Sequence, residues 1–90
     1  MLLLLVEDRA SLRQALAETL RRAEFEVSEA ADGRTGIELV EKGGYDLALF
    51  DLKMPVHNGL DLLKASRARW PLAPVILLTA TGRWSWPWTP

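Results

Sequence analysis

The run Leu47-Ala48-Leu49-Phe50 ends on the carboxylate of Asp51, and Leu52-Lys53-Met54-Pro55 then turns the chain away. An apolar run this short, closed by a turn signal, reads as a strand buried on both faces, as in a parallel sheet. Asp51 then stands at the strand's carboxyl end, where open α/β sheets place their ligands. Taken alone, Asp51 reads equally well as a turn cap. The other strand ends decide between the two.

Leu2 to Val6 is a second apolar run, and Glu7-Asp8 follow it at once. Leu12, Ala15, Leu16, Thr19, Leu20 and Ala23 recur at three- and four-residue spacing, which predicts an amphipathic helix with Ser11 or Asp8 as N-cap. Phe25 to Ala30 alternates apolar and polar residues, as an edge strand does. Asp32-Gly33 opens a second helix with an inner stripe of Gly36, Leu39 and Val40, and Gly43-Gly44 closes it. Past the Pro55 to Gly59 loop, a third helix carries Leu60, Leu63, Ala65 and Ala68 among its apolar positions, and Trp70-Pro71 stops it. Pro74 to Leu78 is the fourth strand, with Thr79 at its carboxyl end. This β-α-β-α-β-α-β order predicts a doubly wound parallel α/β sheet of strand order 2-1-3-4, the alternating strand at its edge.

Ninety residues suffice for one small domain. A net charge of -1 gives no reason to expect nucleic acid or an anionic membrane as partner. No stretch approaches the ~20 apolar residues of a membrane span. Met1 to Val6 has no basic flank and meets Glu7-Asp8 directly, unlike an export signal. Cysteine is absent, which excludes disulfides and thiolate metal sites and fits a reducing, cytoplasmic setting.

In a 2-1-3-4 sheet the direction of winding reverses between the first and third strands. Glu7 and Asp8 therefore converge with Asp51 on the crevice at that point. Three neighbouring carboxylates repel one another unless a cation neutralises them, and oxygen donors of this kind suit Mg²⁺. Such an ion would draw a phosphoryl group toward Asp51, and a carboxylate is a competent phosphoryl acceptor. Thr79 offers a hydroxyl beside the same crevice. Glu7 and Asp8 also read as caps favouring the positive end of the first helix, a role compatible with ion binding.

Val6-Glu7-Asp8, then Asp51-Leu52-Lys53-Met54-Pro55 with Gly59, then Leu77-Leu78-Thr79-Ala80 resemble the receiver domain of two-component response regulators. The resemblance covers residues 1–82 and implies a flavodoxin-like fold. It implies that Asp51 accepts a phosphoryl group from a sensor histidine kinase, and that the domain is a signalling acceptor and not an enzyme. Glu7, Asp8, Asp51 and the backbone carbonyl of Lys53 would hold Mg²⁺. Thr79 and Ala80 would contact the phosphoryl group as the switch.

The family continues with a fourth helix, a fifth strand that begins on a lysine, and a fifth helix. Here eleven residues follow Thr79 and none is lysine. Lys42 and Lys64 fall within helices and Lys53 fills the metal-carbonyl position, so none matches that lysine. The fourth strand would then be a bare apolar edge, a hazard for pairing between chains. In place of the later elements stands a tail, 83–90, whose Trp84, Trp86 and Trp88 would share one face of an extended segment. Pro87 and Pro90 allow an edge or polyproline segment. Such a tail, covering apolar surface, predicts a homodimer or higher assembly with the three tryptophans at its interface. The alternative function is a self-association module that keeps the fold without a working switch. A phosphohydrolase using Asp51 as nucleophile is disfavoured by Lys53, where a second Asp is wanted. A flavin carrier is disfavoured by Glu7-Asp8, which repel phosphate. His57 reads as a surface loop residue that could also neighbour the acceptor site, and Arg9 as a solvated helix-start arginine, the alternative being a guard of the crevice.

Overall fold

The first apolar run lies in the middle of the sheet, where neither face meets water. β1 (Leu2–Val6) pairs in parallel with β2 (Glu26–Ala30) on one side and β3 (Leu47–Asp51) on the other, and β3 pairs in parallel with β4 (Val75–Leu78). The computed structural model describes residues 1–78 and, beyond them, only the backbone of Trp84–Ser85. The expected order 2-1-3-4 is present, and β5 (Trp84–Ser85) extends it antiparallel, with Leu77 opposite Ser85 and Leu78 opposite Trp84. The edge expected from the sequence is thus covered at Leu77 and Leu78, while the pairing does not reach Val75 and Ile76. The pairing residues precede Pro87 and keep the N–H groups a ladder needs.

Side chains of β1 and β3 alternate between two cores, which is why these strands are apolar throughout. Leu4, Val6, Ala48 and Phe50 face α2 (Gly33–Lys42) and α3 (Gly59–Arg69), packing with Val40, Leu62 and partly buried Ile37 and Leu63. Leu3, Leu5 and Leu49 face α1 (Ala10–Arg22), packing with Ala17, Leu16 and Leu20. One helix on one face and two on the other make the sheet doubly wound. Across its lower end, the backbone N–H of Leu2 donates to the Asp46 carboxylate at 2.7 Å, joining residues 44 apart.

Two helices differ in detail from their sequence patterns. α1 has Arg9 as N-cap, without a side-chain hydrogen bond, in place of Ser11 or Asp8. Ala10 and Ser11, which open the helix, are exposed, so their free amides need no protein partner. Ala17 is its buried residue, whereas Ala15, Thr19 and Ala23 are exposed. α3 turns Gly59, Leu62 and Ser66 inward, with Leu62 fully buried, while Leu60 and Ala68 face outward. A capping box sets that rotation: Asn58 accepts from the N–H groups of Leu60 and Asp61, and the Asp61 carboxylate accepts from Asn58 N–H. α2 begins as expected at Asp32, whose side chain accepts from Thr35 N–H at 2.7 Å.

Trp70 fastens the far ends of α2 and α3 together. Its indole N–H donates to the Val40 carbonyl at 2.9 Å, and its ring lies against Gly43, which has φ 75°. A Cβ on Gly43 would come within 2.0 Å of the ring, so both the backbone angle and the close approach require glycine there.

Candidate functional site

β1 delivers Glu7 to the carboxyl edge of the sheet, where its N–H donates to the Ala30 carbonyl at the end of β2. β3 delivers Asp51 beside it. Because α1 leaves β1 toward one face and α3 leaves β3 toward the other, a crevice opens between the two strand ends. Glu7, Asp8 and Asp51 meet in it, with one carboxylate oxygen from each lying within 4.8 Å of the others. Glu7 and Asp51 are buried, at 0% and 2% exposure, and Asp8 is open to solvent.

Burial, and then the negative charge of Glu7, push the Asp51 carboxyl up to about 6, against the Lys53 N–H and Arg9, which oppose the rise. For Glu7 burial works in the same upward direction, but hydrogen bonds from Arg9 outweigh it and hold this carboxyl below its ordinary value. Arg9 spans the Glu7 carboxylate, its Nη2 lying 3.0 Å from Oε1. It is half-exposed at the start of α1, as its position suggested, and is at the same time an ion-pair partner of a crevice acid. Arg13 was not singled out from the sequence. Its Nη1 donates to the Glu7 carbonyl at 3.0 Å, and its Nε lies 3.5 Å from Glu29. The available signal was spacing: Arg13 follows Arg9 by one helical turn and faces the same strand end.

Lys53 projects outward as expected, and its N–H reaches toward Asp51 Oδ1 at 3.4 Å. The loop that follows is held by backbone packing. A Cβ on Gly33 would come within 2.2 Å of the His57 carbonyl, so only glycine lets the loop rest on the start of α2. His57 is half-buried and helps line a cavity of about 690 Å³ that also borders Asp8, Arg34 and Met54. Between them Val56 is 91% exposed and has φ 67°, while His57 N–H donates to the Pro55 carbonyl at 2.8 Å. That is a γ-turn of the rare, strained kind, on a β-branched residue. Val56→Gly is therefore expected to raise stability by about 1 kcal/mol, a rise of about 5 °C in a thermal melt. An unchanged or lower melting temperature would show that no strain resides there.

Thr79 and Ala80, expected beside the acceptor, lie outside the described residues, as do Trp86 and Trp88. Of Trp84 only the backbone is described. Leu78 lies opposite Asp51 across the sheet, and its carbonyl accepts from Leu52 N–H at 2.8 Å.

A doubly wound α/β domain with an acidic crevice at its winding reversal is the class defined by this geometry. Comparison with known proteins gives the same answer at finer grain. The chain matches the response regulator receiver domain over residues 3–85 and belongs to that family. It is 41% identical over 78 residues to the transcriptional regulatory protein PdtaR of Mycobacterium tuberculosis, covering 86% of this chain and 38% of PdtaR. Among solved structures, the receiver domain of the hybrid histidine kinase CckA is similar at 38% identity, with a TM-score of 0.81 over 87% of this chain and 74% of that one. The response regulator TrrA of Thermotoga maritima, solved in complex with Mg²⁺-BeF, is similar at 33% identity, with a TM-score of 0.83 over 88% of this chain and 69% of that one. The chain thus spans less than half the length of PdtaR. Among the described residues, no helix is long and apolar enough to cross a membrane.

The donor set fits a hard divalent cation. Three carboxylates converge without thiolate or imidazole among them, and the buried pair carries more negative charge than Arg9 alone offsets.

Proposed function

We propose that this chain is a phosphoacceptor, with Asp51 taking a phosphoryl group from a sensor histidine kinase in a Mg²⁺-dependent reaction. The observation that carries this reading is the meeting of Glu7, Asp8 and Asp51 at the carboxyl edge of β1 and β3. Residues 1–82 form the receiver unit and 83–90 a tail that lends its backbone at Trp84–Ser85 to the sheet. Glu7, Asp8, Asp51 and the Lys53 carbonyl would hold Mg²⁺. The bound ion would supply positive charge against the phosphoryl oxygens as they approach a carboxylate. An Asp51 oxygen forms the new P–O bond while the P–N bond of the donor phosphohistidine breaks, and the imidazole leaves with that electron pair. The open cavity borders Asp8, the exposed member of the three acids. Thr79 and Ala80 follow β4 directly in the chain and take the role of phosphoryl contacts.

Intact-mass spectrometry after incubation with acetyl phosphate tests this. A single phosphoryl adduct is expected with Mg²⁺ and none with excess chelator. A folded sample that gains no adduct in Mg²⁺ would overturn the reading and leave a receiver fold without acceptor chemistry.

A further inference from the structure

Glu7 is shut away from water, yet both of its carboxylate oxygens are already engaged. Oε2 accepts the Arg9 backbone N–H at 2.9 Å and the Arg9 Nε–H at 3.3 Å, and Oε1 accepts an Nη2–H at 3.0 Å. This is the planar fork by which a guanidinium matches a carboxylate. The Glu7 backbone is pinned at the crevice, its carbonyl accepting from Arg13 and its N–H donating to Ala30, so the carboxylate is anchored at the end of β1. The Arg9 side chain, by contrast, is 48% exposed and leaves into water with little packing lost.

Arg9 and a divalent ion therefore want the same oxygens, and their like charges oppose joint occupancy. We propose that Arg9 is a built-in counter-cation for Glu7, which the site must release when it takes up a divalent ion, so that Arg9 sets the ion affinity. The inference rests on the divalent-ion reading given above. Arg9 keeps the buried Glu7 charge partnered in the metal-free chain, and the same partnership weakens ion binding. By linkage, an ion that displaces Arg9 binds more tightly once the arginine is gone.

The test is a titration with Mn²⁺, followed by loss of the free-ion EPR signal, with Mg²⁺ as competitor. Arg9→Gln is expected to bind Mn²⁺ about five-fold more tightly than the unaltered chain. Arg9→Lys keeps the charge but not the fork and should fall between them. Arg34→Gln removes one positive charge from the wall of the cavity that Asp8 also lines, and should change affinity by less than about two-fold. Saturating Mg²⁺ should raise the melting temperature more in Arg9→Gln than in the unaltered chain. Equal affinity in Arg9→Gln and the unaltered chain would overturn the proposal, as would equal tightening by Arg34→Gln, which indicates general charge. Failure of every variant to bind either ion is a separate result: it overturns the divalent-ion reading itself, and the role of Arg9 with it. Should Arg9→Gln not fold, Arg9→Lys carries the same comparison.

Discussion

Replacing Asp51 by asparagine is expected to abolish the phosphoryl adduct and, at the same time, to make the metal-free protein harder to unfold near neutral pH. The first effect follows from chemistry, since an amide is not a phosphoryl acceptor under these conditions. The second follows from burial and the Glu7 charge, which lift the Asp51 carboxyl from 3.8 to about 6. A carboxyl whose folded value lies above its unfolded value adds stability below the unfolded value, and that stability is lost as pH rises through the folded one. Metal-free protein therefore loses stability between about pH 4 and 6 as Asp51 ionises. The full shift corresponds to about 3 kcal/mol, and solvent in the open crevice reduces this to about 1–2 kcal/mol. Asp51→Asn removes the cost of ionisation, so its melting temperature should exceed that of the unaltered chain by about 5–10 °C at pH 7.5. The gap should close toward pH 4, where Asp51 is protonated in any case. Ion binding favours the ionised carboxylate, so Mg²⁺ affinity should fall as pH drops through 6. A variant melting at the same temperature at pH 7.5, or still acquiring the adduct, would remove Asp51 from the role assigned to it.

Gly59→Ala is the structural counterpart, and its effect should be larger. A Cβ at this position would lie 2.6 Å from the Asp51 carbonyl oxygen, 2.9 Å from Leu52 Cα and 3.1 Å from the Asp51 carbonyl carbon. All three are backbone atoms, so no side chain can swing aside to make room. Gly59 N–H also donates to the Leu52 carbonyl at 3.1 Å, closing the loop at its narrowest point. Adding a methyl group forces α3 away from the end of β3, at a cost of about 3 kcal/mol, or about 15 °C in melting temperature. The displacement bears on the acceptor residue itself, so Mg²⁺ affinity should fall together with stability. The neighbouring Leu60→Ala, at a half-exposed position, is the control and should cost less than about 1 kcal/mol. A Gly59→Ala protein melting within 2 °C of the unaltered chain would show that the loop has slack here.

The strands were legible in the sequence because β1 and β3 are covered on both faces, which leaves short unbroken apolar runs. The three acids were legible for a related reason: each stands at or just past the end of such a run, and topology alone brings those ends together. The inward face of α3 was not. Its leucines and alanines are spread around the helix, and the Asn58–Asp61 capping box, with the close approach of Gly59, selects Leu62 over Leu60. Arg9 was half legible from its place after the acidic pair, and Arg13 was hidden. A long guanidinium side chain finds its partner in three dimensions, so Arg9 and Arg13 show their part only once Glu7 is placed. The pairing of β5 was half legible: the tail composition allowed an edge segment, but not which strand it would join.

The 44-residue separation spanned by the Leu2–Asp46 hydrogen bond bears on how the chain reaches this fold. β1 has no local partner; its neighbours on both sides arrive only after a helix has been traversed. Parallel pairing of this kind is slow, because the loop must close before any contact rewards it. Leu2-Leu3-Leu4-Leu5-Val6 stays uncovered at its edges until β2 and then β3 have formed. An unpaired apolar strand is also a template for strands of other chains. The centre of the finished sheet is thus exposed while the chain is only partly folded, and dilution or a chaperone that shields β1 should raise the yield of folded protein.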